Sequence, residues 1–180
     1  MNIFYLDRDP KLCAEMHVDK HCVKMILEYA QLLSTAHRIL DGTQSVCLSK
    51  TGRKQVRYVL SDQRENVLYS ATHINHPSAI WVRKSRDNYA WLYQLLDCLC
   101  KEYTYRYGKR HKSQDVIEWC LINKPNIADK EFTEPARAMP DEYKSNCVVE
   151  SYRSYYMGEK SKIAVWKNRE TPEWFKMEMV

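Results

Sequence analysis

The sequence predicts a mainly α fold: one compact helical domain spanning 1–180, opened by a short extended segment and carrying a small β-hairpin near 45–60. Three observations support this. Apolar residues recur at i+3/i+4 spacing over long stretches, as in Tyr89, Leu92, Leu96, Leu99 and Tyr103. Helix-start and helix-stop residues bracket those stretches, among them Asp9-Pro10, Ser85 and Gly108. The length of 180 residues suits one domain, and 44% hydrophobic with 28% charged residues is a globular balance.

Residues 2–6 (Asn-Ile-Phe-Tyr-Leu) read as an extended entry. Asp9 as N-cap and Pro10 at the first helical position start a helix that runs to about Leu40, where Asp41-Gly42 stops it. About thirty residues is long for a globular helix, so a kink or break can interrupt it. Val46-Cys47-Leu48 and Val56 to Leu60 can pair as the hairpin, around a basic cluster of Lys50, Arg53, Lys54 and Arg57. His73 to Ser78 reads as a loop, followed by a short helical piece through Arg83. Ser85 caps a strong helix from Arg86 to Tyr107, closed by Gly108. Ser113 caps another over 114–122, stopped by Pro125. Residues 123–146 form a long loop, and a last helix spans about Cys147 to Met157, ending near Gly158. The tail packs back through Trp166, Trp174 and Phe175.

No apolar run approaches the roughly 18–20 residues that cross a bilayer, and the first residues lack a secretory layout, so the expectation is a cytoplasmic protein without a membrane partner. Seven Cys without a C-x-x-C pair argue for buried reduced thiols rather than a zinc ribbon. Four Gly and no G-x-G-x-x-G or P-loop string speak against a glycine-rich phosphate cradle. The formal charge of +5 modestly favours a polyanionic partner, a nucleic acid or small nucleotide.

The first long helix holds the best chemical signal. Cys13, His17, His21, Lys24, Glu28, Gln31 and Thr35 form a polar stripe within an arc of roughly 80° on an otherwise apolar wheel. Such a stripe is either the helix's solvent edge or the wall of a polar cleft. Two His, a Thr and a Cys are poor helix formers and odd solubilisers, which favours the cleft. The candidate catalytic residues are therefore His17, His21, Lys24 and Glu28, with His76 from the loop. His17 and His21 at i,i+4, with His73 or His76, could alternatively ligate a metal; the H-E-x-x-H glutamate is missing, and the reading adopted is metal-free, with no cofactor. Asn75, Ser78, Arg83, Asn88 and Tyr89 surround a loop and helix start suited to phosphate or base, and Arg106 and Lys109 form a further basic patch. These seven are the candidate substrate-binding residues.

Several strings are also distinctive. Asn2 to Asp7, His17-Val18-Asp19-Lys20-His21, Gln31 to Arg38, Asn75-His76-Pro77-Ser78, Arg106 to Lys109 and Ala138 to Glu142 together resemble a family of tailed-bacteriophage proteins, over most of the chain. More remotely, the layout is similar to the phage pyrimidine-dimer DNA glycosylases of the endonuclease V type. That resemblance implies a small basic all-α domain in an infected host cell, cleaving a glycosidic bond. In that family a freed N-terminal amine attacks the sugar C1′ and a glutamate on the first helix assists. Glu28 matches by side-chain face; Asn2 is a bulky residue that leaves Met1 in place. A Schiff base could then form on Lys20, Lys24 or the terminal amine. The expected function is an enzyme acting on nucleic acid or nucleotide, DNA glycosylase-like. The alternative is a non-enzymatic protein that sequesters a host nucleotide signal.

Overall fold

In the computed structural model, which describes residues 1–176, helices dominate and one β-hairpin stands apart. The chain enters as an extended strand-like segment whose Ile3, Phe4, Tyr5 and Leu6 are all buried. Such a segment cannot pair its backbone in a sheet, so side chains satisfy it. The Phe4 N–H donates to Tyr29 Oη (3.2 Å), Cys13 Sγ donates to the Phe4 carbonyl (3.1 Å), and Arg153 Nε donates to the Leu6 carbonyl (2.9 Å).

α1 (Pro10–Glu15) starts as expected, with Asp9 Oδ1 accepting from the Lys11 and Leu12 N–H groups. The long helix expected to reach Leu40 is broken. α1 ends at Glu15, Val18 is extended (φ −60°, ψ 155°), and α2 begins anew at Asp19 and runs to Asp41. The groups that fill the break come from far along the chain. Arg106 Nη2 donates to the Glu15 carbonyl and Nη1 to that of His17, both at 2.8 Å. Trp166 Nε1 donates to the Met16 carbonyl, and the Asp19 N–H to that of Val165. Helix ends left bare of partners are costly when buried, and here distant donors replace the missing turn.

β1 (Thr43–Leu48) and β2 (Lys54–Val59) pair antiparallel, with Val46 opposite Val56 and Leu48 opposite Lys54. The base of this hairpin is held by Arg38 of α2. Its side chain is 5% exposed and donates to the carbonyls of Tyr58, Glu65, Leu68 and Tyr69 and to the Glu65 carboxylate. A one-turn helix, α3 (Arg64–Val67), follows, then α4 (Pro77–Val82).

α5 (Arg86–Tyr107) has the expected ends: Ser85 Oγ accepts from the Asn88 N–H, and Gly108 takes the left-handed conformation (φ 66°). α6 (Gln114–Ile122) follows, with its Ser113 hydroxyl bonded to Tyr69 Oη instead of capping the helix. α7 (Val148–Lys160) passes through Gly158, where a stop was expected. The ring of Tyr143 occupies the place a Cβ would take there, 2.5 Å from its ideal position, so this glycine makes room rather than ending the helix. The tail returns to the core as expected, with Trp166 and Phe175 in edge contact at 5.0 Å and α8 (Glu173–Lys176) as the last element among the described residues. One hydrophobic cluster extends from Ile3 through α2 and α5 to Phe175.

Candidate functional site

The polar stripe survives the break only from His21 onward, and its members have different fates. His17 is fully buried. Its Nδ1 donates to the Cys13 carbonyl (2.7 Å), and Nε2 accepts from Tyr29 Oη (2.8 Å), which itself accepts the Phe4 N–H. Burial, with the Arg106 charge adding to it, lowers its pKa to about 4. His21, 7% exposed, stacks on Phe4 with ring centroids 4.4 Å apart and bonds Tyr156 Oη at 2.6 Å; burial lowers it to about 3. Both are neutral core histidines that clamp the N-terminal segment to α2, with ring nitrogens already engaged at His17 and one engaged at His21.

Lys24, Glu28, Gln31 and Thr35 continue the stripe along α2, from the exposed Lys24 to the fully buried Thr35. Thr35 accepts the Thr72 N–H (3.1 Å) and donates to the Thr72 carbonyl (3.3 Å), which pins the 72–76 loop against α2. In that loop His73 has a positive φ of 48° and its Nδ1 meets the Thr72 hydroxyl, and the His76 N–H closes a turn onto the His73 carbonyl. His76 caps α4: its Nδ1 accepts from the Ser78 N–H at 3.1 Å. That bond assigns the neutral ring's proton to Nε2. Arg83, at the far end of α4, donates to the Ile74 carbonyl (2.8 Å) and steadies the same loop.

The remaining member comes from the chain's first atom. The Met1 α-amine lies 3.8 Å from Glu28 Oε2, and Lys24 Nζ lies 3.1 Å from Glu28 Oε1. The Met1 side chain is only 4% exposed, although the residue as a whole is partly accessible, so the accessible part is backbone. An apolar anchor thus fixes a terminal amine beside a carboxylate that is itself 15% exposed. His76 completes the group. Its pKa is lowered by partial burial, then by the positive charges of the chain terminus and His73, with Glu28 opposing. No family model, curated protein or solved structure matches the chain. The arrangement of these side chains therefore carries the functional argument.

The other candidates fall elsewhere. Asn75 and Lys109 are exposed. Ser78 is buried at the start of α4. Asn88 is fully buried, donating to the Trp81 carbonyl and accepting from the Thr133 N–H, where it ties the long loop to α5. Tyr89 is buried against His37, with Nε2 to Oη at 2.8 Å. Arg106 is 2% exposed and engaged by Glu102 (2.7 Å) and Asp19 (2.9 Å) as well as the carbonyls of the helix break. Asn88, Tyr89 and Arg106 therefore build the core and reach no open surface. Among the described residues, no three His, Cys, Asp or Glu side chains converge as metal ligands would.

Sequence reasoning named the terminal amine as one possible Schiff-base group without placing it beside Glu28, and it missed Thr35 and Thr72 as the clamp of the 72–76 loop. One signal was available: an apolar Ile3-Phe4-Tyr5-Leu6 run directly after the start has to be buried, and burying it fixes the terminus.

A concavity lies between the C-terminal part of α2, β2 and the segment that follows it. It measures about 370 Å³ and is lined by Arg38, Arg57, Tyr58, Val59, Glu65 and Ser70 among others.

Proposed function

We propose that the chain is an enzyme acting on nucleic acid, and that it cleaves a glycosidic bond with the Met1 amine as nucleophile and Glu28 as its carboxylate partner. The observation that carries this reading is the buried Met1 side chain holding the α-amine 3.8 Å from Glu28. A primary amine held in place beside a carboxylate is the class of nucleophile that forms an imine at a sugar carbon.

In this mechanism the amine lone pair attacks C1′, the C1′–N bond breaks, and the base leaves with the electron pair and takes a proton. Loss of the second amine proton opens the sugar ring and leaves an imine between Met1 and C1′. Glu28 accepts the proton released from the amine and stabilises positive charge at C1′. His76, with Nδ1 committed to α4, offers Nε2–H as a hydrogen-bond donor. Lys24 neutralises the second oxygen of Glu28 and supplies a cation for phosphate.

Strand incision at an abasic site tests this reading, because the same amine condenses with the free aldehyde and promotes β-elimination. Protein with a free terminus is expected to incise an abasic duplex, and protein acetylated at the α-amine is expected not to. Equal incision by both forms would overturn the reading.

The 370 Å³ concavity favours one other reading, since it has the size of a nucleotide site and carries Arg57 and Tyr58. In that case the protein sequesters a nucleotide without turnover. Ligand recovered intact after denaturation supports sequestration, whereas a changed product requires catalysis.

A further inference from the structure

We infer that the β1–β2 hairpin is a duplex-DNA-binding arm that lies as a two-stranded ribbon in the major groove. The inference deepens the reading above by naming the polymer, but it rests on a different part of the molecule.

The hairpin is physically anomalous. An isolated two-stranded hairpin is marginal in water, and its stability ordinarily comes from packing one face on a core. Here nearly every residue of both strands is exposed, and only Cys47 and Tyr58 are partly covered. Its attachment is at the base, through Arg38 to the Tyr58 carbonyl and Glu65 to the Leu60 N–H. The tip is well defined: Ser49 Oγ accepts from the Thr51 and Arg53 N–H groups, and Gly52 supplies the left-handed residue (φ 76°).

Charge identifies the occupant. Between Thr43 and Val59 there are four cations, Lys50, Arg53, Lys54 and Arg57, and no Asp or Glu. All four are exposed, and none forms an ion pair among the described residues. Elsewhere this protein pairs its arginines readily, as at Arg38, Arg64, Arg106 and Arg169, so Arg53 and Arg57 without ion pairs on one projecting element are a local departure, and Lys50 and Lys54 add to their charge. Six residues of strand reach about 20 Å, which spans about six base-pair steps. A mononucleotide would use only a fraction of that length.

The apolar content fits the same partner. The register puts Val46, Leu48 and Val56 on one face, 64%, 68% and 55% exposed. Small branched side chains flanked by cations suit thymine methyls and groove walls, and the major groove of B-DNA is wide enough for a two-stranded ribbon. A membrane surface would call for exposed aromatic anchors, and the hairpin's one aromatic residue, Tyr58, is turned partly into the protein. Arg38, which holds the hairpin, lies ten residues from Glu28 on α2, roughly 15 Å along the axis.

The test is equilibrium binding of the full chain to a fluorescent duplex of about 20 base pairs between about 50 and 200 mM salt. The variant K50Q/R53Q/K54Q/R57Q is expected to raise Kd more than about tenfold and to lower the slope of log Kd against log salt by about 3–4. K124Q/K130Q, exposed in the long loop, is expected to change the slope by less than about one. If the fourfold variant fails to fold, K50Q/R53Q at the tip is expected to give about half the slope change. An unchanged Kd and slope in the hairpin variant would overturn the inference. So would wild-type protein that binds anionic vesicles and no duplex, or that binds duplex RNA, whose major groove excludes a ribbon, as tightly as DNA. Abasic-site incision is read separately, so failure of the amine chemistry with intact duplex binding leaves the arm standing, and the reverse result removes only the arm.

Discussion

The Met1 α-amine and the Glu28 carboxylate stand 3.8 Å apart, brought together from the first residue of the chain and the middle of its longest helix. The contact depends on the Met1 side chain, which is almost completely buried, and on the extended segment behind it, which His21, Tyr29 and Tyr156 hold in place. Lys24, by contrast, reaches Glu28 from solvent with a side chain that is 68% exposed. The two amines differ in how well they are positioned, and for that reason the proposed reading takes Met1 as the nucleophile and gives Lys24 a supporting role.

Glu28→Gln keeps the shape of the side chain and removes its negative charge. Abasic-site incision is expected to fall by about 10²-fold or more, the usual contribution of a positioned proton acceptor. The ion pairs lost are partly exposed, so the melting temperature is expected to move by no more than about 2–4 °C. Lys24→Arg retains the pairing with Glu28 but cannot form an imine, and incision within about tenfold of wild type is expected.

His17→Ala is expected to act on stability rather than chemistry. It strands the Tyr29 hydroxyl and the Cys13 carbonyl in the core and opens a cavity, at a cost of about 2–4 kcal/mol. Tyr29→Phe removes the acceptor of the Phe4 N–H and is expected to cost about 1–3 kcal/mol. Denaturant titration checks both. A fully stable His17→Ala protein would contradict the core assignment.

The buried histidines also set a pH dependence. Burial lowers the folded pKa values of His17 and His37 to about 4 and of His21 to about 3, below the ordinary value of 6.5. The unfolded chain therefore binds more protons between those limits, and stability rises with pH there. Stability is expected to be full above about pH 6.5 and to fall progressively toward pH 4, by a few kcal/mol for His17 alone. Urea midpoints measured from pH 7 to pH 4 check this; a flat profile across that window would contradict it.

Arg106→Met removes the donor that fills the α1–α2 break and leaves Glu102 and Asp19 with one fewer partner. Because the Arg106 side chain has no exposed surface, the loss is expected to reach about 3–5 kcal/mol. Arg169, which also contacts Glu102 at 2.9 Å, offsets part of it. Thermal unfolding of the variant reads the effect directly.

What the sequence made legible follows from how local each signal is. The Asp9-Pro10 start, the Ser85 cap and the Gly108 stop are written within a few residues of where they act, and the structure has all three. The hairpin was legible for the same reason. The break at residues 16–18 was not located, because its partners are Arg106, Val165 and Trp166. The same distance effect misread Asn88, Tyr89 and Arg106: a polar side chain at a helical position reads as a ligand group until its buried partner, here Thr133, His37 or Glu102, is known. Of the stripe, the two histidines that made it conspicuous serve the core, Thr35 pins the 72–76 loop, and the quieter Glu28 meets the terminal amine.

The most direct test of the central claim is borohydride reduction in the presence of an abasic-site duplex, followed by mass-spectrometric mapping of the cross-linked peptide. The account requires a reduced adduct at the α-nitrogen of Met1, abolished by acetylating the terminus and strongly weakened in Glu28→Gln. No adduct from active protein, or an adduct on Lys24 with the Met1 amine unmodified, would contradict it.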